Sequence, residues 1–321
     1  MKKKIVITAG EMAGISSLII LKAFENQEIR NIDPTVYGDK KLIKSLQKKL
    51  ITEGKIKYRE IKIHDPLKAN FEIDILGKPD KNTGYAAGFY FEKAIKDALN
   101  KKIDAIVTAP LDKDNLQRGG YNFTGHTTML RRLTNAKDAV MMLYGKKLKI
   151  ALLTIHDPLH EVSEKINKET IKNKIRTINY ELESKFKINL PKIALLGLNP
   201  HAGENGKLGK EELLHYLPAI TELRKEGINI EGPFPADTYF YKLYKNYDVT
   251  VASYHDQGLI PLKMLHFEDG VNITLGIPII RTSVDHGTAY DKVSEFEEVS
   301  EKSLIAAIKE AYEISLRTLQ F

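Results

Sequence analysis

The sequence has no cysteine among its 321 residues. Disulfides, thiolate nucleophiles and Cys-type zinc sites are therefore excluded, and any metal must be held by His, Asp or Glu. A reducing compartment fits this composition. No apolar run reaches the roughly 18–20 residues that a membrane-spanning helix needs. The start, "MKKKIVITAGEMAGISSLIILKAF", mimics a secretory signal. Glu11 interrupts its apolar run, Lys22 ends it, and no small-residue cleavage site follows. The expectation is a cytoplasmic protein with no membrane partner. A glycine-rich dinucleotide fingerprint is also missing: "TAGEMAG", with Gly10 and Gly14, is a poor match to it. No Pro/Gly/Ser-rich linker divides the chain.

Charge of one sign is scarce only in part. The net charge is +7 and the pI about 9.1. A nucleic-acid partner would need clustered basic residues with interleaved aromatics. Here the lysines are scattered among acids, as in "KKLIKSLQKKL" followed by "ITEGKIKYRE". Solvated helix faces account for most of them, and no nucleic-acid partner is expected. Some of the positive charge suits an anionic substrate. Hydrophobic residues at 42% and charged residues at 28% are the balance of a globular protein long enough for one large or two ordinary domains.

Short β-branched runs alternate with longer amphipathic ones. Strands are predicted in "KIVIT" from Lys4, "DAIVTA" from Asp104, "AVMMLY" from Ala139, "KIALLTI" from Lys149, "KIALLGL" from Lys192, "VTVASY" from Val249 and "IPIIRTSV" from Ile277. Helices are predicted from about Ala13, over Ala86 to Lys101, Lys168 to Phe186, Gly209 to Gly227 and Glu301 to Leu319. Ile171, Ile175, Ile178 and Leu182 form a stripe at helical spacing, which is core or interface rather than chemistry. The alternation argues an α/β fold with a largely parallel sheet.

In such folds ligands bind beyond the carboxyl ends of strands. Those ends are unusually polar here. Lys113 follows "AIVTA", His156 follows "ALLTI", His201 follows "ALLGL", His255 and Asp256 follow "VTVAS", and Asp285 and His286 follow "PIIRTSV". One histidine at a strand end is more often a hydrogen-bonding residue than a ligand. Three change the balance. His156, His201 and His255 lie tens of residues apart, unlike a structural zinc site and like a catalytic one assembled from several loops. "NFTGHTTML" sets hydroxyls before a helix start, which suits phosphate, although an ordinary threonine cap would read the same. Asn272, Arg281 and Lys263 sit in apolar surroundings, the first two on what look like adjacent strands. A buried cation needs a partner, either a structural carboxylate or a substrate phosphate.

Six segments, in this order, resemble the 4-hydroxythreonine-4-phosphate dehydrogenase family of vitamin B6 biosynthesis. They are "GHTT" (from Gly125), "TIHDPL" (Thr154), "NPHAGENGKLGKEE" (Asn199), "GPFPADTYF" (Gly232), "YDVTVASYHDQGLIPLKML" (Tyr247) and "GVNITLGIPIIRTSVDHGTAYD" (Gly270). The resemblance implies an α/β, two-domain isocitrate/isopropylmalate dehydrogenase-like fold without a classical Rossmann motif. Its first domain would take residues 1–125 and 256–321 and its second 126–255, with the active site in the cleft between them. It implies oxidation of the C3 hydroxyl of 4-phosphooxy-L-threonine by NAD or NADP, then decarboxylation to 3-amino-2-oxopropyl phosphate. One divalent metal per subunit (zinc, magnesium or cobalt) would be held by His156, His201 and His255. Substrate contacts would fall on His126, Thr127, Lys263, Asn272 and Arg281, and cofactor contacts on Asp285, His286, Gly287 and Thr288. A homodimer would share the site, with the histidine matching His156 coming from the partner. Asp256 and Asp237 are candidates to orient ligands, and Lys113 and Asp256 candidates for the catalytic base. The chain departs from the family where "GEMAGISSL" from Gly10 replaces a "GDPAGIGPE"-like segment, and at Thr128, where an acid is usual. A related decarboxylating dehydrogenase for another phosphorylated hydroxy acid or a diol is the alternative. A phosphotransacetylase-like acyltransferase would need no histidine-held metal, and an anionic-surface binder would be indifferent to chelation.

Overall fold

The computed structural model of the chain describes residues 2–318. In chain order the elements are β1 (Ile5–Thr8), α1 (Ser16–Glu25), β2 (Thr35–Tyr37), α2 (Lys40–Thr52), β3 (Lys62–His64), α3 (Lys81–Leu99), β4 (Ala105–Thr108), α4 (Lys113–Arg118) and α5 (His126–Thr134). There follow β5 (Val140–Tyr144), β6 (Lys149–Leu152), α6 (Leu159–Lys165), α7 (Lys168–Ser184), β7 (Ile193–Leu196), α8 (Leu217–Lys225), β8 (Ile230–Phe234), α9 (Ala236–Lys242), β9 (Val249–Ala252), α10 (His255–His266) and β10 (Val271–Leu275). β11 (Ile280–Val284) and α11 (Lys302–Arg317) complete the chain. The predicted end of the last helix, at Leu319, lies outside the described residues.

Two compact units result. One takes the described residues up to Ala136 and those from Ile277 on; the other is Lys137–Gly276. The limits expected for the second domain, 126–255, differ from these. α5 goes with the first unit, and 256–276, with most of α10 and all of β10, goes with the second.

In the first unit the strands run β3-β2-β1-β4-β11, all parallel. Every residue of "IVIT" in β1 and "AIVT" in β4 is buried. Continuous apolar strands of this kind are what a parallel sheet covered on both faces requires. β3, "KIH", ends the row with two of its three residues exposed, and its lysine suits an edge strand. α2 buries Leu42, Ile43, Leu46 and Leu50 and turns its lysines outward, as a solvated helix should. Asp39 caps it by accepting the Leu42 N–H at 2.8 Å. α3 begins earlier than its periodicity predicts. Asp80 and Thr83 form a reciprocal capping box that starts the helix at Lys81. The turn after β1 needs glycine: Gly10 has φ +60°, and a Cβ there would lie 2.1 Å from the Pro110 carbonyl oxygen.

In the second unit β10 and β5 are antiparallel, as are β5 and β6; β6, β9, β7 and β8 then follow in parallel. The stripe Ile171, Ile175, Ile178 and Leu182 of α7 is buried as predicted. The predicted helix over 209–227 forms over 211–225, with a π-helical turn, Glu212–Tyr216, running directly into α8. Lys263 lies on α10, the element that follows β9, and His255 opens the same helix. Among the described residues no helix is long and apolar enough to cross a membrane.

Candidate active site

All three candidate metal-binding histidines belong to the second unit. His255 is the first residue of α10, directly after β9. Its ring lies 5.6 Å from that of His156, centroid to centroid. Two imidazoles bound through nitrogen at 2.0–2.1 Å to one tetrahedral cation would have centroids about 5 Å apart. The pair therefore fits a shared ion. Asp256 Oδ1 sits 2.7 Å from His255 Nδ1. A carboxylate there fixes the ring and leaves Nε2 for a ligand. This supports the orienting role considered for Asp256, which is otherwise exposed. Asp237, in the first turn of α9, is exposed. His201 does not join the His156–His255 pair within one chain: among the described residues no group of three His, Asp or Glu side chains could hold an ion. The resemblance gives the place beside His255 to a partner's histidine; in this chain His156 itself stands there.

His201 lies in a turn that few sequences adopt. His201, Ala202, Gly203, Glu204 and Asn205 all have positive φ, at 52°, 50°, 79°, 43° and 57°. Left-handed backbone costs a non-glycine residue roughly 1–2 kcal/mol, and such strain persists only where the surroundings over-determine it. Glu212 does so here. It is 2% exposed. Its Oε1 accepts the Leu198 and Asn199 N–H groups at 2.8 and 2.7 Å, and its Oε2 accepts Asn199 Nδ2 at 2.9 Å. Asn199 also donates to Glu211 Oε2 at 2.8 Å, and Ser163 donates to Glu211 Oε1. These donors, Ser163 foremost, hold the Glu211 carboxyl below the usual range.

The ends of β7 and β9 are tied together by two further side chains. Tyr216, on the π-turn, meets Ser253 Oγ at 2.7 Å, and Ser253 Oγ donates to the Leu196 carbonyl. Gln257 accepts the Ser253 N–H and donates to the Gly197 carbonyl, both at 2.7 Å. α10 can approach β6 because Gly258 has no side chain; a Cβ there would lie 2.4 Å from Ile150 Cγ2. Sequence reasoning assigned no role to Glu212, Tyr216 or Gln257. Glu212 and Gln257 stand inside motifs already noted, but nothing in the sequence marks a π-turn.

Of the remaining candidates, Lys263 and Asn272 are half-buried on α10 and β10. The Asn272 Oδ1 is buried with no hydrogen-bond partner. An orphaned buried acceptor costs stability and marks a place where a ligand could donate.

The first unit gathers a second set. Arg281, on β11, is 3% exposed and donates through Nη2 to Thr108 Oγ1 at 2.7 Å. Burial pulls its guanidinium down to about 9, so it remains charged at neutral pH. His126 opens α5 and packs edge-on against Phe91, with centroids 4.7 Å apart. Burial, and then the Arg281 charge, push its imidazole well below the ordinary range. Its Nε2 is buried without a hydrogen-bond partner. A neutral ring beside a cation, with one nitrogen unengaged, is prepared to meet an anionic ligand. Thr127 is half-buried in the same turn. Thr128 donates to the Gly125 carbonyl at 3.0 Å and so serves the helix start itself. Exposed Lys113 runs its stem past Gly125, where a Cβ would stand 3.7 Å from Lys113 Cε.

The divergent N-terminal segment grips the proposed cofactor loop. Ile15 N–H donates to the Thr288 carbonyl at 2.9 Å, and a Cβ on Gly14 would lie 2.4 Å from that oxygen. Asp285 N–H donates to Ser303 Oγ at 3.2 Å, His286 Nδ1 lies 3.2 Å from the Gly287 carbonyl, and Gly287 is exposed. Tyr290 donates to Asp112 Oδ2 at 2.9 Å. Glu11 is fully buried and accepts from the Ala13 N–H and Asn115 Nδ2. Burial pushes its carboxyl above the usual range against those two bonds. Where the family has aspartate, this chain thus fits the longer acid by closing a turn with it.

An α/β scaffold with imidazoles and cations gathered at strand and helix ends defines an enzyme for a small anionic substrate. Comparison with known proteins makes this specific. The model of the pyridoxal phosphate biosynthetic protein PdxA matches residues 30–311, and the chain belongs to that family. It is 47% identical over 296 residues to a 4-hydroxythreonine-4-phosphate dehydrogenase of a Sulfurihydrogenibium species, covering 90% of this chain and 91% of the relative. It is 38% identical over 328 residues to a D-threonate 4-phosphate dehydrogenase of Cupriavidus necator, covering 97% of each chain. The crystal structure of 4-hydroxythreonine-4-phosphate dehydrogenase from Klebsiella pneumoniae superposes with a TM-score of 0.87 at 34% identity, over 98% of both chains. The fold is the isocitrate/isopropylmalate dehydrogenase-like one expected from the sequence.

Proposed function

We propose that the chain carries out the metal-dependent, NAD(P)-linked oxidation and decarboxylation of 4-phosphooxy-L-threonine to 3-amino-2-oxopropyl phosphate, in pyridoxine 5'-phosphate biosynthesis. The observation that carries the reading is the His156–His255 pair, 5.6 Å apart with Asp256 on the outer nitrogen of one ring. It supplies two nitrogen donors of the kind that zinc, cobalt and related cations take. His156, His201 and His255 would hold one divalent ion per subunit, drawn from two copies of the chain, since His201 does not join the other two within one. When bound, it would supply Lewis acidity toward the oxygen at C3.

The chain's own residues do the rest. Arg281, charged and buried, attracts the substrate phosphate, and the Thr127 hydroxyl orients it. His126 stays neutral and offers Nε2 for a hydrogen bond. Lys263 neutralises a second anionic group, and Asn272 accepts a hydrogen bond through its orphaned Oδ1. Binding energy from the phosphate, remote from C3, fixes the reacting carbon against the nicotinamide. Lys113 or Asp256 takes the hydroxyl proton. Residues Asp285 to Thr288 contact the cofactor.

A second copy of the chain completes the site. One face of α10 runs from Asp256 through Ile260, Lys263 and Met264 to Phe267. Ile260, Met264 and Phe267 on it are 61, 82 and 75% exposed. An apolar face of this kind, beside two site residues, suits a homodimer contact.

The relative that acts on D-threonate 4-phosphate supports a second reading, in which the substrate is the phosphorylated hydroxy acid. Comparing kcat/KM for 4-phosphooxy-L-threonine and D-threonate 4-phosphate, with the amino ketone phosphate product assayed, separates them. A preference for the amino acid supports the first reading, and a preference for D-threonate 4-phosphate replaces it.

A further inference from the structure

We infer that Glu212 is the positioning residue that sets His201 for the cation, an inference that rests on the metal-dependent reading above. The left-handed turn is wrapped around the Glu212 carboxylate. One oxygen holds the backbone N–H groups of Leu198 and Asn199, just before the turn, and the other holds the Asn199 amide. The far side of the turn closes on the same carboxylate, since a Cβ on Gly203 would lie 2.6 Å from Glu212 Oε2. His201 stands between these two contacts. Its φ of 52° is therefore held from both sides by the contacts of one carboxylate.

The π-turn explains how the carboxylate gets there. Both Glu212 and Tyr216 are buried from one wide helical turn. Tyr216 reaches Ser253 while Glu212 reaches the His201 turn. Widened turns of this sort recur at functional sites. The scaffold does not depend on Glu212 alone, because Tyr216–Ser253 and Gln257–Gly197 hold the strand ends independently. Loss of the carboxylate should release His201 and leave the unit folded.

The test is zinc affinity, measured on the full chain by competition with a chromogenic chelator, together with the melting temperature of the metal-free protein. In Glu212→Gln the amide oxygen can keep the two backbone N–H groups, but its NH2 then faces the Asn199 NH2, donor against donor. Zinc binding should weaken 10–100-fold, the usual effect of losing a residue that orients a ligand, with the metal-free protein still melting cooperatively. If Glu212→Gln fails to fold, Asn199→Ala removes the amide's bonds to Glu212 and Glu211, keeps the two backbone N–H groups on Glu212, and should weaken zinc in the same direction. Wild-type affinity in the folded variant would overturn the inference. His201→Ala is measured alongside. If it too binds zinc as the wild type does, the metal assignment itself falls; if it loses zinc while Glu212→Gln does not, only the positioning role falls.

Discussion

Gly203→Ala is the sharpest perturbation of the strained turn. Two costs combine. Alanine at φ +79° costs roughly 1–2 kcal/mol. Its Cβ would also stand 2.6 Å from Glu212 Oε2 and 3.2 Å from Glu212 Cδ. The carboxylate cannot move aside freely, because three N–H groups hold it. Overpacking of a fixed neighbour costs about 1–3 kcal/mol, so the two together come to about 2–5 kcal/mol. Gly227→Ala isolates the backbone part: its φ is +87°, and a Cβ there meets nothing within 4 Å. Urea unfolding of the two variants should give a loss of about 1–2 kcal/mol for Gly227→Ala and a clearly larger one for Gly203→Ala. Equal losses would refute the claim that the turn is built around Glu212.

Three other outcomes follow from the same geometry. Glu222, paired with Lys168 at 2.8 Å and with Lys172, has its carboxyl held down to about 2 by those hydrogen bonds, Lys168 first. A depressed acid stabilises the fold above its ordinary value of 4.5, and that contribution is lost as pH falls toward about 2. Melting curves between those limits should be less pH-dependent in Glu222→Gln than in the wild type; identical curves would remove the pair from the acid response. Met264→Asp puts a charge on the apolar face of α10 and should yield monomers by sedimentation with turnover lost; an unchanged dimer would move the interface elsewhere. Gly258→Ala would drive α10 off β6, since its Cβ falls 2.4 Å from Ile150 Cγ2. About 1–3 kcal/mol of stability should go with it, and zinc affinity should fall because His255 rides on that helix; a stable variant with full zinc affinity would contradict the packing.

Much of this was readable in the sequence because buried parallel strands must be apolar throughout. "IVIT", "AIVT", "IALL" and "VTVA" announce themselves, and so do the polar residues that end them. β2 and β3 escaped because three residues show no period. β8 escaped because Gly232 and Pro233 read as a turn. The histidines could be found as strand-end residues, but the left-handed conformation of His201 could not. It arises from a glutamate further along the chain, brought back by a π-turn that obeys no periodic signal. Nor does the sequence show that Glu11 is buried and closes its own turn. The expected limits of the two units differ from the compact ones at α5 and α10, because a helix carrying site residues gives no sign of which unit it packs with.

The need for a histidine-held cation is measured by NADH formation from 4-phosphooxy-L-threonine and NAD, before and after chelation, with divalent cations then returned one at a time. Turnover should stop on chelation and return with zinc, cobalt or magnesium, with His255→Ala inactive under every condition. Turnover that persists after chelation, or that survives in His255→Ala, would contradict it.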